Sequence, residues 1–317
     1  MKRNKSHFFA IFFVLGIFVL FSCNNSQSVS QEFMNESDEN LLKTETIHEQ
    51  DSNAMVYLTL DVELPLAESE MATQIRQQLC DMLAKRLTHV ASFENEQFFS
   101  PYQGDMNDTH ALGVYYREKL MSLFDRLTKE EAAQRADYIM ENEEMTDGER
   151  MELIDEFPAW EYSYTLKKTA DTLNYVVFDS YDYIYMGGAH GGVGGDGCLT
   201  FNKEDGRLVE KFLDPHSVKE LQPQLIAGLL SYYSDGANKM TETELFERLQ
   251  IEGNIIPFPQ FAPYPTKEGL VFIYQQYEIA CYADGMPCFV IPYDALAPYL
   301  TDEAKKVCQA YLMNLEK

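Results

Sequence analysis

Apolar residues alternate with polar ones in two stretches of the chain, and both stretches predict β-strands. From Val56 to Leu64 every second residue is apolar, and a similar alternation runs from Trp160 to Leu166. A period of two is typical of a strand that buries one face. Pro65 ends the first strand, because proline lacks the N–H that a sheet ladder needs. An aromatic segment from Tyr175 to Tyr185 predicts a third strand.

Between the first two strands the apolar residues recur at the spacing of a helix. The pattern predicts an amphipathic helix from about Glu68 to Val90, followed by a mainly helical region over residues 101–157. Within that region Thr128 and Thr146 each precede a glutamate by three positions, which is the capping-box signature of a helix start. We therefore expect separate helices to begin at these two threonines.

The chain after Tyr185 is dense in glycine and predicts a loop, with the next strand beginning at Cys198. Seven glycines lie in this loop: Gly187, Gly188, Gly191, Gly192, Gly194, Gly195 and Gly197. Such density indicates backbone with positive φ, or backbone that passes close to other backbone. A phosphate-binding loop is disfavoured, because the Lys-Ser/Thr pair is missing and a strand follows instead of a helix.

Turn signals organise the C-terminal third of the chain. Asp205-Gly206 and Asp284-Gly285 predict hairpin turns, and four prolines in residues 254–265 indicate an irregular crossing. A strand is predicted from Leu270 to Tyr274, and residues 275–280 lead from it to the second turn, after which Phe289–Ile291 form the return strand. Helices and strands come in runs instead of strict alternation, which favours an α+β fold with an antiparallel sheet packed against helices.

The first residues predict a signal peptide that is not part of the fold. A basic start is followed by an apolar stretch from Phe8 to Phe21, shorter than the roughly 20 residues of a membrane span. It ends in Leu20-Phe21-Ser22-Cys23, which resembles the lipobox of bacterial lipoproteins, although Phe21 departs from the usual pattern. The resemblance implies that residues 1–22 are removed and that Cys23 carries lipid. A secreted protein with a coincidental cysteine is the alternative.

The segment after the lipobox reads as a spacer. Residues 23–53 are rich in Asn, Ser, Gln and Glu and cannot bury enough apolar surface to offset the entropy of ordering them. We therefore expect a flexible, disordered tether between the lipid and the folded part. The expected location is the bacterial cell envelope, outside the cytoplasm, either periplasmic or on the surface, with the lipid of Cys23 in the bilayer.

The chain is strongly acidic, with 51 Asp and Glu against 25 Lys and Arg and a formal net charge of −26. Loss of the signal peptide would remove basic residues only and make the charge more negative. Such a protein is repelled by nucleic acid and by anionic headgroups, so nucleic acid is not an expected partner. The charge favours a cationic partner, unless it serves solubility alone.

The cysteines predict at least one free thiol. Five remain once Cys23 is lipidated, and an odd number cannot pair completely within the chain. Cys281 and Cys288 flank the Asp284-Gly285 turn and could form a disulfide across the hairpin, with buried thiols as the alternative. The cysteine and histidine spacings match no zinc pattern, and we predict no metal and no cofactor.

Three segments read together resemble a known pair of bacterial domains. They are Tyr183–His190 (Y-I-Y-M-G-G-A-H), Phe201–Asp214 (F-N-K-E-D-G-R-L-V-E-K-F-L-D) and Gly269–Asp294, which contains Y-E-I-A-C-Y-A-D-G. The pattern is similar to domain-of-unknown-function family 3298, here over residues 191–317. It is preceded by a region similar to family 4163, over residues 54–190.

The resemblance implies a recognition module. The same pair of domains occurs outside the membrane in lysozyme-responsive anti-sigma factors of the RsiV type, where it binds lysozyme, and beside the catalytic domain of a peptidoglycan deacetylase. The chain shows neither a sigma-binding segment before the signal peptide nor a deacetylase domain with paired Asp and metal-binding His. We therefore expect a binding protein for a cationic protein such as lysozyme, or for a cell-wall fragment. The alternative is a cell-envelope hydrolase.

His190 is the residue on which the hydrolase hypothesis depends. It stands among glycines, where its side chain could reach a ligand, but a general base needs an orienting carboxylate. Asp182, Asp196 and Asp284 are the candidates for that role, and Glu278 completes the candidate catalytic set with His190 and Asp284. The alternative is a histidine that bonds to loop backbone and fixes the glycine-rich turn.

Aromatic residues beside carboxylates form the predicted ligand-binding set. Tyr277 precedes Glu278, Tyr282 lies two residues before Asp284, and Tyr185 leads into the glycine loop with His190. Such a mixture can stack on sugars or receive Lys and Arg from a protein partner. A strand with one face in the core and the other in water would account for the same pattern.

Overall fold

The larger sheet contains five strands in chain order, so strands that are neighbours in sequence lie side by side. In this computed structural model they are β1 (Thr44–Ser52), β2 (Val56–Pro65), β3 (Trp160–Asp171), β4 (Tyr175–Tyr185) and β5 (Gly192–Asn202). All neighbours are antiparallel except β2 and β3, which run parallel. A parallel pair needs a long crossover, and a helical segment supplies it here. The predicted α+β architecture, a mainly antiparallel sheet packed with helices, is confirmed.

The structure describes residues 40–90, 96–143, 146–188, 190–234, 239–313 and 315. They all belong to the second of two units into which the chain divides, Gln31–Lys317. The predicted signal peptide, Cys23 and the first part of the predicted tether lie outside the described residues. No helix within these ranges is both long and apolar enough to span a bilayer.

Three helices form the crossover between β2 and β3: α1 (Glu70–Thr88), α2 (Thr109–Asn142) and α3 (Asp147–Asp155). Thr146 begins α3 with a complete capping box, as predicted. The helix start predicted at Thr128 is wrong, because α2 continues through it. The Thr128 hydroxyl is buried and donates to the Phe124 carbonyl at 2.7 Å, so it is satisfied inside the helix.

A smaller sheet and five short helices make up the C-terminal part. Its three antiparallel strands are β6 (Tyr264–Pro265), β7 (Leu270–Ile273) and β8 (Cys288–Ile291). Its helices are α4 (Gln222–Tyr233), α5 (Glu242–Arg248), α6 (Tyr293–Leu296), α7 (Asp302–Val307) and α8 (Gln309–Leu312). β7 agrees within one residue with the strand predicted from Leu270 to Tyr274. It ends at Ile273, and a turn follows in which Glu278 donates its N–H to the Gln275 carbonyl at 3.1 Å.

The larger sheet lies between two apolar cores, because alternate side chains of β4 point to opposite faces. Val176 and Phe178 join the core formed with α1 and α2, whereas Tyr175 and Val177 join the core of the C-terminal part. The domain boundary predicted at residues 190 and 191 falls between β4 and β5, which are paired strands of one sheet.

Two sequence predictions missed the edge strands of this sheet. The predicted tether includes β1, whose polar composition hides a strand: only Ile47 is buried in it, and its backbone pairs with β2 along its full length. The glycine loop is mostly strand as well, because β5 begins at Gly192 and not at Cys198. Glycines carry no side chains, so they show no alternation of apolar and polar residues.

Candidate functional site

The glycines of β5 allow its backbone to lie close to charged groups and to β4. A Cβ atom at Gly194 would overlap the Arg86 guanidinium and the Asp182 carboxylate, and one at Gly195 would overlap the backbone of β4. Gly195 also has a φ of 140°, and the register with β4 shifts here, so that Asp196 is the extra residue of a β-bulge. These glycines are therefore required by close approach, as the sequence indicated.

Beneath Gly194 lies a partly buried ion pair that the sequence did not predict. Arg86 Nε donates to Asp182 Oδ2 at 2.9 Å and Nη2 to Oδ1 at 2.6 Å, and the Tyr162 hydroxyl donates to Oδ2 at 3.3 Å. Burial alone would lower the pKa of Arg86, but its hydrogen bonds with Asp182 raise that pKa above its usual value. Burial, with the Asp182 charge beside it, raises the pKa of Tyr162 well above the usual range. The two oxygens of Asp182 are thus committed to structure.

Asp196 is engaged in a second chain of hydrogen bonds. The Ser180 hydroxyl donates to Asp196 Oδ2 at 3.1 Å, and the Tyr164 hydroxyl is bonded to the same Ser180 oxygen at 3.0 Å. Burial raises the pKa of Asp196, since it disfavours the charged carboxylate. Two of the candidate carboxylates for orienting His190 therefore serve the interior of the sheet.

His190, Tyr282 and Tyr277 form a group of ring contacts that we call the aromatic stack. The ring of His190 lies against that of Tyr282, with centroids 3.9 Å apart and planes inclined by 18°. Tyr277 follows at 5.7 Å from Tyr282, tilted by 43°. His190 Nδ1 and the Tyr282 hydroxyl both donate to the carbonyl oxygen of Gly191, at 2.9 and 3.1 Å. A single backbone oxygen at the start of β5 thus fixes the relative positions of the two rings.

Like His190, Tyr277 is an exposed member of the aromatic stack. Its side chain is 63% exposed, and its φ of 63° is the only positive value among the described non-glycine residues. A bulky side chain rarely takes this conformation, and such strain is more frequent at functional sites than elsewhere. The turn that gives Tyr277 its positive φ also places the aromatic ring of Tyr277 in solvent.

Two tyrosines of β4 extend the aromatic surface. The ring of Tyr183 packs against Gly191, where a Cβ atom would overlap it. Burial raises the pKa of Tyr183. The nearby Glu161 carboxylate and the Tyr282 and Tyr185 hydroxyls raise this pKa further. Tyr185 lies two residues further along β4, on the same face of the strand, and pairs with Glu161 of β3. The structure therefore gathers the predicted aromatic residues around the start of β5.

The predicted carboxylates do not join His190. Glu278 accepts hydrogen bonds from the backbone N–H groups of Gln260 and Gln275, and its burial raises its pKa. Asp284 Oδ1 pairs with Arg248 Nε at 3.2 Å. Across the described chain no hydrogen bond or ion pair links His190 to a carboxylate. The geometry supplies aromatic faces for binding and gives His190 no orienting acid.

Cys281 is a free thiol, so the predicted disulfide between Cys281 and Cys288 is wrong. The Cys281 Sγ atom lies 3.0 Å from Asp284 Oδ2 and donates to it. The turn at Asp284 and Gly285 is a short 3₁₀ segment, Tyr282–Asp284, and not the tight hairpin from which the disulfide was predicted. Among the described residues, no three His, Cys, Asp or Glu side chains are placed to hold a metal ion.

Comparison with known proteins identifies the C-terminal part of the chain. Residues 210–294 match the family described as "Protein of unknown function (DUF3298)". The matched region includes Tyr277, Tyr282 and Asp284 but neither His190 nor β5. No curated protein matches the chain.

Two solved structures are similar to this chain over most of its length. One is a member of the DUF3298 family from Bacteroides fragilis, with 14% identity, a TM-score of 0.60, and coverage of 84% of this chain and 98% of that one. The other is a DUF3298 family protein from Pseudomonas aeruginosa, with 16% identity, a TM-score of 0.49, and coverage of 83% and 96%. At such identities the first likeness establishes a shared fold and nothing about ligands.

Proposed function

We propose that this protein is a recognition module of the bacterial cell envelope, anchored through lipid on Cys23, which binds its partner at the aromatic stack. The observation that carries the proposal is the exposed ring of Tyr277 at the end of the ordered pair His190 and Tyr282. An exposed, strained aromatic residue that packs on a fixed ring is a binding feature. In this proposal the segment over residues 54–190 is the family 4163-like half of the module.

The proposed partner is a cationic protein, with lysozyme as the representative. The formal net charge of −26 attracts a basic protein and raises its rate of association. Once in contact, Lys or Arg side chains can lie over tyrosine faces, an interaction of about 0.5–2 kcal/mol. The resemblance to the lysozyme-responsive anti-sigma factors supports the same choice. A cell-wall glycan is the second candidate, because sugars also stack on tyrosine rings.

The test is calorimetric titration of lysozyme into the full-length protein in detergent micelles, at about 0.05 M and 0.5 M salt. We expect binding that weakens strongly at the higher salt. Absence of lysozyme binding at both salt concentrations would exclude lysozyme as the partner. A parallel titration with soluble peptidoglycan fragments would then test binding of the glycan.

Substitution of Tyr277 locates the binding surface. We expect Tyr277→Ala to weaken lysozyme binding by about 2- to 30-fold, the range that corresponds to one cation–π contact. Tyr138→Ala is the matched control, because Tyr138 is 68% exposed on α2 and lies outside the aromatic stack. Equal affinities for both variants would place the partner elsewhere on the protein.

A further inference from the structure

The two edge strands of the larger sheet differ in the side chains that they carry. On β1, Glu49 pairs with Arg117 of α2 at 3.1 Å, and α2 packs so closely that a Cβ at Gly113 would overlap Ile47. Charged side chains on an edge strand are one usual means of preventing another chain from pairing with it. On β5, glycine occupies four of the six positions from Gly192 to Gly197.

Among the described residues, no further strand pairs with the outer edge of the first half of β5. Further along, Phe201 forms a bridge with Leu208, and Val209 N donates to the Thr200 carbonyl, so that end of β5 is covered. From Gly192 to Gly194, every backbone hydrogen bond within the described chain belongs to the ladder with β4. An antiparallel strand directs part of its N–H and C=O groups away from its neighbour, so these groups are available to a further strand.

The glycines leave room for such a strand. Gly192 is exposed, and a Cβ atom there would meet nothing within 4 Å. Val193 carries the only side chain between Gly191 and Asp196. Gly195 is buried and the bulge at Asp196 twists the strand away, so the usable edge is limited to Gly192–Gly194.

We propose that the outer edge of Gly192–Gly194 receives an extended, basic segment of the partner as an added β-strand. The inference rests on the proposed function and describes how the same site engages its ligand. Tyr282 and His190 are both bonded to the Gly191 carbonyl, so the aromatic stack lies at the first residue of this edge. A segment paired with Gly192 carries its Lys or Arg side chains past these rings.

Charge selects this occupant over a second copy of the chain. Two copies, each with a formal charge of −26, repel one another, whereas a segment with Lys or Arg at alternate positions is attracted. Backbone pairing supplies affinity without regard to sequence, and the aromatic stack favours cationic side chains.

The test is hydrogen exchange of the Gly192–Gly194 amides in the full-length protein, with three probes. The first is lysozyme, the second a synthetic octapeptide that alternates lysine with valine, and the third the same peptide with alternate backbone amides methylated. We expect the first two to slow exchange at the outward-facing amides about tenfold or more, and the methylated peptide to have no effect. Binding of either active probe without protection of Gly192–Gly194 overturns the strand inference and leaves the proposed function intact. No binding by any probe overturns both.

Two variants separate charge from strand pairing. Gly192→Lys and Gly192→Glu both place a side chain in open space, so neither disturbs packing. We expect Gly192→Lys to weaken binding of the basic octapeptide severalfold and Gly192→Glu to retain or strengthen it. Equal effects of the two charges contradict a basic occupant. Protection that rises with protein concentration, with no probe added, assigns the edge to a second copy and also overturns the inference.

Discussion

Asp182→Ala should destabilise the protein substantially, because it leaves the buried end of Arg86 without its partner. The substitution removes both oxygens that accept from the guanidinium, and the acceptor of the Tyr162 hydroxyl. Removing one member of a buried ion pair costs roughly 3–5 kcal/mol. The Asp182 side chain is 9% exposed and that of Arg86 is 32% exposed, so water compensates part of the loss. We therefore expect the free energy of unfolding to fall by about 2–4 kcal/mol.

Urea unfolding measures this loss, with the single tryptophan, Trp160 on β3, as the fluorescent reporter. With a slope near the upper end of about 1–3 kcal/mol per molar urea, the midpoint should fall by roughly 1 M. Arg86→Ala combined with Asp182→Ala should cost much less than the sum of the single changes. Asp137→Ala is the control, because its pair with Arg150 lies on the surface and its loss should leave the midpoint unchanged. A shift for Asp182→Ala no larger than that of the control would refute the reasoning.

Two further predictions concern buried carboxylates. Burial raises the pKa of Asp196 in the folded protein. The native state therefore holds a proton that the unfolded state releases. The free energy of unfolding falls as the pH rises from the ordinary aspartate pKa through the folded value. Asp196→Asn should therefore gain stability relative to wild type between pH 4 and pH 7, measured by urea midpoints; a constant difference would contradict this. Asp171→Asn removes the carboxylate that pairs with the amines of Lys168 and Lys203, and it weakens the hydrogen bond from the Leu42 N–H. Protease cleavage near residue 42 should therefore accelerate severalfold. Unchanged cleavage would show that this anchor is dispensable.

The sequence predicts the elements in which apolar side chains recur on one buried face. β2 and β3 alternate because one face of each is packed more deeply than the other, and α1 shows its apolar stripe for the same reason. β1 is polar because it is an edge strand, held mainly by its backbone ladder with β2. β5 has almost no side chains from which a period could be read. Residue propensity and the hydrophobic pattern therefore miss β1 and β5, the two strands that are stabilised by pairing with β2 and β4.

The candidate site was partly predictable. His190, Tyr277 and Tyr282, which the sequence offers as ligand-binding candidates, lie together in the aromatic stack, and their role in binding stays a prediction. Their contacts were not predictable, since Gly191 and Tyr282 lie 91 residues apart and no local spacing links them. The same holds for Arg86 and Asp182, which are 96 residues apart. Carboxylates that looked available in the sequence, such as Glu278, prove to be hydrogen-bonded to backbone.

The most direct test of recognition at the aromatic stack is the nuclear magnetic resonance signal of the His190 ring as lysozyme is added. The protein contains six histidines, and a spectrum of His190→Gln assigns the relevant resonance. We predict that the His190 signal shifts progressively to saturation, because a cationic side chain settles beside its ring, while the signal of His216 stays in place. Saturating lysozyme binding with an unchanged His190 signal would contradict the account, as would the absence of any binding.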